Sequence, residues 1–292
     1  MTYLNKSVII IDNSDLSYSG EDINGTLVRG TEASLILLSE QFVRMGINVD
    51  YCNSIQKKSK FNGVNYFNKN DIIKQKQYDL AIVISDANEF RRVSSLKKAV
   101  FSNSNQPIEK FIRKKQLLPF LKFKPTLITL CDYQYKKRSF FTSFYGKKTI
   151  PITVDPKFLD IEIDQNFLPE KKVVYNIRSN RNLNHLIKIW CDKIFPLNNE
   201  FKLYITPNLI DYKDFHKKNN ILLRTVGSRS EMIDEMKNYR ALTYLGHKSD
   251  IFTLTAEEAI KMCLPVVTFG IGSLKERVTH NETGFIAKSD QE

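Results

Sequence analysis

The chain is expected to be an α/β protein of two doubly wound domains, and three observations predict this. Short apolar runs suited to buried parallel strands alternate with stretches of helical spacing. The alternation restarts after Pro169. The length of 292 residues also exceeds the roughly 100–200 of a single domain. The hydrophobic fraction of 42% is enough to bury a sizeable core.

The elements follow in order. Residues 7–11 (SVIII) form a run that fits a strand covered on both faces. After a Ser-, Asp- and Gly-rich loop, Leu35, Leu38, Phe42 and Met45 recur at helical spacing, and Gly46 supplies a stop. Residues 48–52 and 79–85 read as further strands, with weaker candidates at 99–101, 126–130 and 149–154. Beyond Pro169 the strands are expected at 173–176, 201–205, 221–226, 241–245 and 265–269. Helices are expected at 182–194, from an N-cap at Ser230 through Lys237, at 255–262 and at 273–278. The two halves meet near 160–170, giving domains 1–165 and 166–292. Ligands in such sheets bind beyond the carboxyl ends of the strands, where helices begin.

Composition narrows the function. No apolar run approaches the roughly 20 residues that span a bilayer, and no signal-peptide pattern precedes the first strand. The expectation is a cytoplasmic protein, or one held peripherally on the cytosolic membrane face. Cys52, Cys131, Cys191 and Cys263 form no CxxC pair and are expected as buried thiols. His185, His216, His247 and His280 match no metal pattern, so no metal and no cofactor are expected. The net charge of +12 is concentrated in residues 91–148, where fifteen Lys and Arg stand against Glu109 and Asp132 alone. Aromatics interleave with these charges. Such a segment suits a phosphorylated acceptor or peripheral contact with an anionic membrane, and nucleic acid is the less favoured partner.

Chemistry concentrates in residues 247–288 (HKSDIFTLTAEEAIKMCLPVVTFGIGSLKERVTHNETGFIAK). Asp250 leaves the end of a strand, and Glu258 lies inside the following helix. The loop between them, with Phe252, Thr253 and Leu254, offers backbone N–H groups and the positive end of a helix dipole to a phosphate. Carboxylates beside that site accept hydrogen bonds from sugar or ribose hydroxyls. Gly270 and Gly272 open the next helix and permit close approach of a ligand. On residues alone this is a polyol-phosphate site.

That segment resembles the donor-binding motif of retaining glycosyltransferases of the GT-B fold, family 4 (group 1 type). Their pattern runs E-x-F-G-x-x-x-x-E-A-M-A-x-G-x-P-V-V, followed by a Gly-containing loop, a helix start with Glu, and G-x-L. The matches are Asp250, Phe252, Glu258-Ala259, Leu264-Pro265-Val266-Val267, Gly272, Glu276 and Gly284-Phe285. Asp250 is one methylene shorter than the usual Glu, Thr253 stands where Gly is common, and Gly246-His247 replaces Pro-Ser. Residues 173–190 resemble the first strand and helix of the same domain, with Arg181 at a usual Lys or Arg and Asn182 replacing the Gly after it. Gly30 and Thr31, with Glu32, resemble the turn that opens the first long helix.

The resemblance implies two Rossmann-like domains facing a cleft, an acceptor-side domain over 1–165 and a nucleotide-sugar-binding domain over 166–292. The C-terminal crossover helices of the family are expected to be missing. Asp250 is implied as the catalytic sugar ligand and Glu258 as the ribose ligand. Arg178 and Arg181 are implied for the pyrophosphate, with Phe252, Thr253, Leu254, Gly30, Thr31, Gly270 and Gly272 lining the donor. The implied reaction is metal-independent transfer of a hexose-like sugar from a nucleoside diphosphate to a glycan or lipid-linked hydroxyl, with retention, in surface polysaccharide biosynthesis. A non-catalytic sugar-nucleotide binder and a GT-B sugar-nucleotide epimerase are the alternatives. The acceptor-side catalytic group is unassigned, with Glu32 and Asp132 as candidates.

Overall fold

A computed structural model describes residues 5–25, 28–72, 76–162, 164, 166–178, 180–206, 219–224 and 227–292. His216, and residues 225–226 of the strand expected over 221–226, lie outside them. The chain forms two compact units, Met1–Thr153 and Val154–Glu292. Val154 and Phe158 bury themselves in the core of the second unit, which is why the chain divides ahead of residue 165.

The first unit is an eight-stranded sheet. Its strands are β1 (Ser7–Ile11), β2 (Asn48–Asn53), β3 (Ser59–Phe61), β4 (Val64–Asn68), β5 (Gln77–Ile84), β6 (Ser94–Phe101), β7 (Thr126–Thr129) and β8 (Lys147–Thr149). The order is β3-β4-β2-β1-β5-β6-β7-β8, and all pairs are parallel except β3–β4. Ile9, Ile10 and Ile11 are fully buried, as an unbroken apolar run requires of a central strand. The helices are α1 (Gly30–Arg44), α2 (Ile108–Arg113), α3 (Leu117–Phe123) and α4 (Asp132–Lys137).

Three local expectations are corrected here. The β3–β4 hairpin was not expected, although Asn62-Gly63 with φ of 45° and 81° is the turn that joins twisted antiparallel strands. The strand expected over 99–101 begins at Ser94, because its outer half pairs with Gln77 and Tyr78 of β5. The last strand lies at Lys147–Thr149 rather than over 149–154, in register with Leu127 to Thr129 of β7.

The second unit is all parallel. Its strands are β9 (Lys172–Tyr175), β10 (Lys202–Ile205), β11 (Ile221–Leu223), β12 (Ala241–Thr243), β13 (Val266–Thr268) and β14 (Gly284–Ile286), in the order β11-β10-β9-β12-β13-β14. This is the doubly wound order of a Rossmann-like domain, and its direction reverses between β9 and β12. The helices are α5 (Leu183–Ile189), α6 (Phe195–Leu197), α7 (Arg229–Met236), α8 (Leu254–Lys261) and α9 (Leu274–Arg277). A π-helical turn over Trp190–Ile194 links α5 to α6. The core gathers Val174, Leu186, Trp190, Leu203, Leu242 and Ala259 between sheet and helices.

Helix α7 is capped by Ser228, not Ser230. The Ser228 side chain accepts the Glu231 N–H and the Glu231 carboxylate accepts the Ser228 N–H, a reciprocal box. A start at Ser230 would put Ile233 where the returning carboxylate must be. Cys263, expected as a buried thiol, is exposed, and it ends α8 in the left-handed region with φ of 55°.

Candidate functional site

The strand order reverses between β9 and β12, and the residues that follow these two strands meet beyond their carboxyl ends. After β9, the buried Tyr175 hydroxyl shares its one proton between the carbonyls of Arg178 (2.9 Å) and Arg181 (3.0 Å), folding the chain back before α5. Asn182 precedes α5 with φ of 63°. Asn is among the few residues that tolerate that conformation. Its side chain donates to the Gly246 carbonyl at 2.5 Å, tying the β9 loop to the end of β12.

Asp250 organises the second loop. Its carboxylate accepts the Tyr244 hydroxyl and the His247 N–H (2.9 Å), and lies 3.5 Å from the Arg181 guanidinium. Burial and the adjacent Asp250 push the Tyr244 hydroxyl far above its ordinary value, so it stays protonated and donates. Arg181 also donates to Nδ1 of His247 at 2.8 Å, and the Ser249 N–H donates to the same atom at 3.1 Å. Two pure donors on Nδ1 leave the ring proton on Nε2. Arg181, His247 and Asp250 thus form one polar cluster at the strand reversal. Arg178 lies exposed beside it.

Gly246, with φ of 93°, bridges to Ile271, and Gly272 has φ of 74°. A Cβ on Gly272 would stand 2.5 Å from the His247 carbonyl oxygen. Gly272 thus lies tight against the chain's own backbone at the end of the His247 turn. Gly270, with φ of 65°, would place its Cβ 3.1 Å from Ile286.

Thr253 precedes α8 with no side-chain cap and is buried, its hydroxyl 3.2 Å from that of Ser273. Leu254 opens the helix, whose first N–H groups therefore have no side-chain cap. The Phe252 ring lies under the Arg277 guanidinium at 4.1 Å, and Arg277 pairs with Glu257 at 3.1 Å. In the first unit, Gly30 and Thr31 open α1, the Gly30 carbonyl accepts the Ser34 hydroxyl, and Glu32 is buried in the first turn.

Glu258 is buried on the inner face of α8. Its Oε1 accepts from Arg229 at 2.9 Å, and Arg229 pairs on its other side with Asp155 at 3.1 Å. The guanidinium also covers the Phe158 ring at 5.2 Å. Burial pushes the Glu258 carboxyl up to about 7, opposed by Arg229 and reinforced by Asp155. Arg229 and Asp155 were not foreseen from the sequence. The S-x-x-E pattern from Ser228 to Glu231, had it been read as a capping box, would have put Arg229 at a helix start, but only the fold brings it to partners far along the chain.

No protein-family model and no curated protein matches the chain. Solved structures do. The chain is similar to sucrose-phosphate synthase from Thermosynechococcus elongatus at 10% identity, covering 96% of this chain and 85% of that one, with a TM-score of 0.70. It is similar to a glycosyltransferase from Rickettsia africae at 11% identity, covering 99% and 86%, with a TM-score of 0.68. It is likewise similar to Anabaena HepE, solved with UDP and glucose, at 14% identity, covering 98% and 87%, with a TM-score of 0.65. These likenesses establish the fold as that of GT-B glycosyltransferases.

Proposed function

We propose that the chain is a glycosyltransferase that takes a sugar from a nucleoside diphosphate and passes it to a hydroxyl of a glycan or lipid-linked acceptor. The observation that carries this is the Arg181–His247–Asp250 cluster at the reversal between β9 and β12, followed by the uncapped start of α8. Breaking the glycosidic bond puts negative charge on the departing diphosphate. A fixed guanidinium and the N–H groups of a helix stabilise that charge more as it develops than in the resting donor. Asp250 holds Arg181 and His247 in position, and Asp250 itself is the group proposed to meet the transferred sugar. Glu258 is engaged by Arg229 through Oε1, and its second oxygen is the one proposed to accept ribose hydroxyls. HepE, solved with UDP and glucose, supports a uridine donor as the first to test. Membership of family 4, retention of configuration, action without a metal and a place in surface polysaccharide synthesis belong to the same proposal.

Calorimetry with UDP-, GDP- and ADP-sugars tests the proposal on wild type and on Arg181→Ala. One donor is expected to bind, and loss of Arg181 to weaken it by about tenfold to a hundredfold, as removal of a charge-assisted phosphate contact does. If no donor binds, or the variant binds as tightly as wild type, the reading fails. A second reading, a binder without turnover, is favoured by one observation: Tyr244, His247 and Arg181 already engage the Asp250 carboxylate. Donor binding with neither transfer nor donor hydrolysis would select it.

A further inference from the structure

The first unit carries an apolar surface ringed by cations, and the donor-site reading does not use it. Helices α2 and α3 each send one aromatic inward, Phe111 and Phe120, whose rings meet edge-to-face at 5.0 Å. Their other faces are bare. Ile112 is 62% exposed, Leu118 71% and Leu121 49%. A hollow of about 500 Å³ lies against α3, lined by Leu118, Leu121 and Phe123 with Arg91 and Lys122 among them. Exposed Arg113, Lys114, Lys115, Lys122 and Lys124 surround these residues.

A second apolar feature is tied to the chain just ahead of α2. The 3₁₀ turn Phe140–Ser143 is anchored by the fully buried Thr142, whose hydroxyl donates to the Ser139 carbonyl at 2.7 Å. Phe140, Phe141 and Phe144 point outward at 66%, 52% and 63% exposure, and Phe140 packs its ring against both of the others. The turn is joined to α2 by a backbone hydrogen bond from Ser139 to Gln106, at 2.9 Å, just before each feature begins. Lys136, Lys137, Lys147 and Lys148 are exposed around it.

We propose that the α2–α3 pair and the Phe140–Phe144 turn together form a docking surface for an anionic lipid bilayer. Charge complementarity selects this occupant. Clustered cations beside a membrane draw in acidic headgroups, and apolar side chains with no partner in the fold enter the region between headgroup and acyl chain. A nucleic acid would satisfy the cations and stack on the rings, but its phosphate backbone offers nothing to Ile112, Leu118 and Leu121. A second copy of this surface would bring like charges together.

Co-flotation of the full chain with vesicles tests the surface. Binding is expected with phosphatidylglycerol–phosphatidylcholine vesicles at low salt, and not with phosphatidylcholine alone. Leu118→Ser and Phe140→Ser change exposed side chains, so folding and donor binding should be unaffected. Each is expected to lower partitioning by about tenfold, the loss of one buried apolar side chain. Lys114→Glu should lower it by at least about fivefold, the attraction of one cation near the surface. Absence of flotation on anionic vesicles overturns the proposal. So does flotation that Lys114→Glu abolishes while both apolar variants retain it, which is adsorption by charge alone. Tighter binding to single-stranded RNA than to anionic vesicles, or self-association that Leu118→Ser removes without any flotation, also overturns it.

Discussion

Glu258 and Arg229 show what burial does to a carboxylate proposed to receive a ligand. Two buried carboxylates share one guanidinium, so the Asp155–Arg229–Glu258 group has an excess negative charge when all three are ionised. Desolvation then raises Glu258 from 4.5 to about 7. A carboxyl whose folded value is raised contributes stability that is fully present below its unfolded value of 4.5 and is lost as pH rises through 7. Glu258→Gln removes the titration, so the variant should be more stable than wild type at pH 8. The gap should approach about 3 kcal/mol and close toward pH 5, as read from denaturant midpoints at the two pH values. Arg229→Gln should do the reverse. It leaves two buried carboxylates unpaired and should cost about 3–5 kcal/mol at pH 8, and less at pH 5. In the proposed donor complex, ribose hydroxyls donating to Glu258 would favour its ionised form. Donor binding near pH 7 should therefore release protons, seen as a dependence of binding enthalpy on the ionisation heat of the buffer.

Helices α7 and α8 are ended by residues whose conformations can be tested. Ser228 holds the start of α7 through its capping box. Ser228→Ala should cost about 1 kcal/mol of unfolding free energy, while Ser230→Ala should change it little. At the end of α8, Cys263 lies in the left-handed region, with φ of 55°. Cys263→Gly should raise stability by about 0.5–1 kcal/mol, because relief of the left-handed strain exceeds the added freedom of the unfolded chain. The same comparison explains Asn182 without a penalty of that size, since its side chain is used in the hydrogen bond to Gly246.

Each unit has its own sheet, parallel but for the β3–β4 pair of the first, and its own core, and the proposed donor contacts of the second unit all follow the carboxyl ends of its strands. A saturating donor should therefore stabilise that unit by about 3 kcal/mol at a hundred times its dissociation constant. Hydrogen exchange should show the added protection in the loops after β9 and β12 and at the start of α8. Protection spread evenly over the sheet of the first unit would contradict that location.

Much of the architecture was readable in the residues. Unbroken apolar runs such as Ser7–Ile11 announce strands buried on both faces, and helical spacing marks α1 and α8, because those patterns state which side of an element meets water. The order of Asp250, Glu258, Pro265 and Gly272 pointed to the end of the chain only through its resemblance to the GT-B donor motif, since the spacing of two acids alone says little. What depended on tertiary structure was the partner of each side chain. Arg181 meets His247 and Asp250 only because β9 and β12 are neighbours in the sheet, and Arg229 meets Asp155 and Glu258 only when α7 and α8 pack together. Local pattern carries the period of one element and nothing about which distant element lies beside it. Desolvation, which sets the charge state of Glu258, is a property of that neighbourhood.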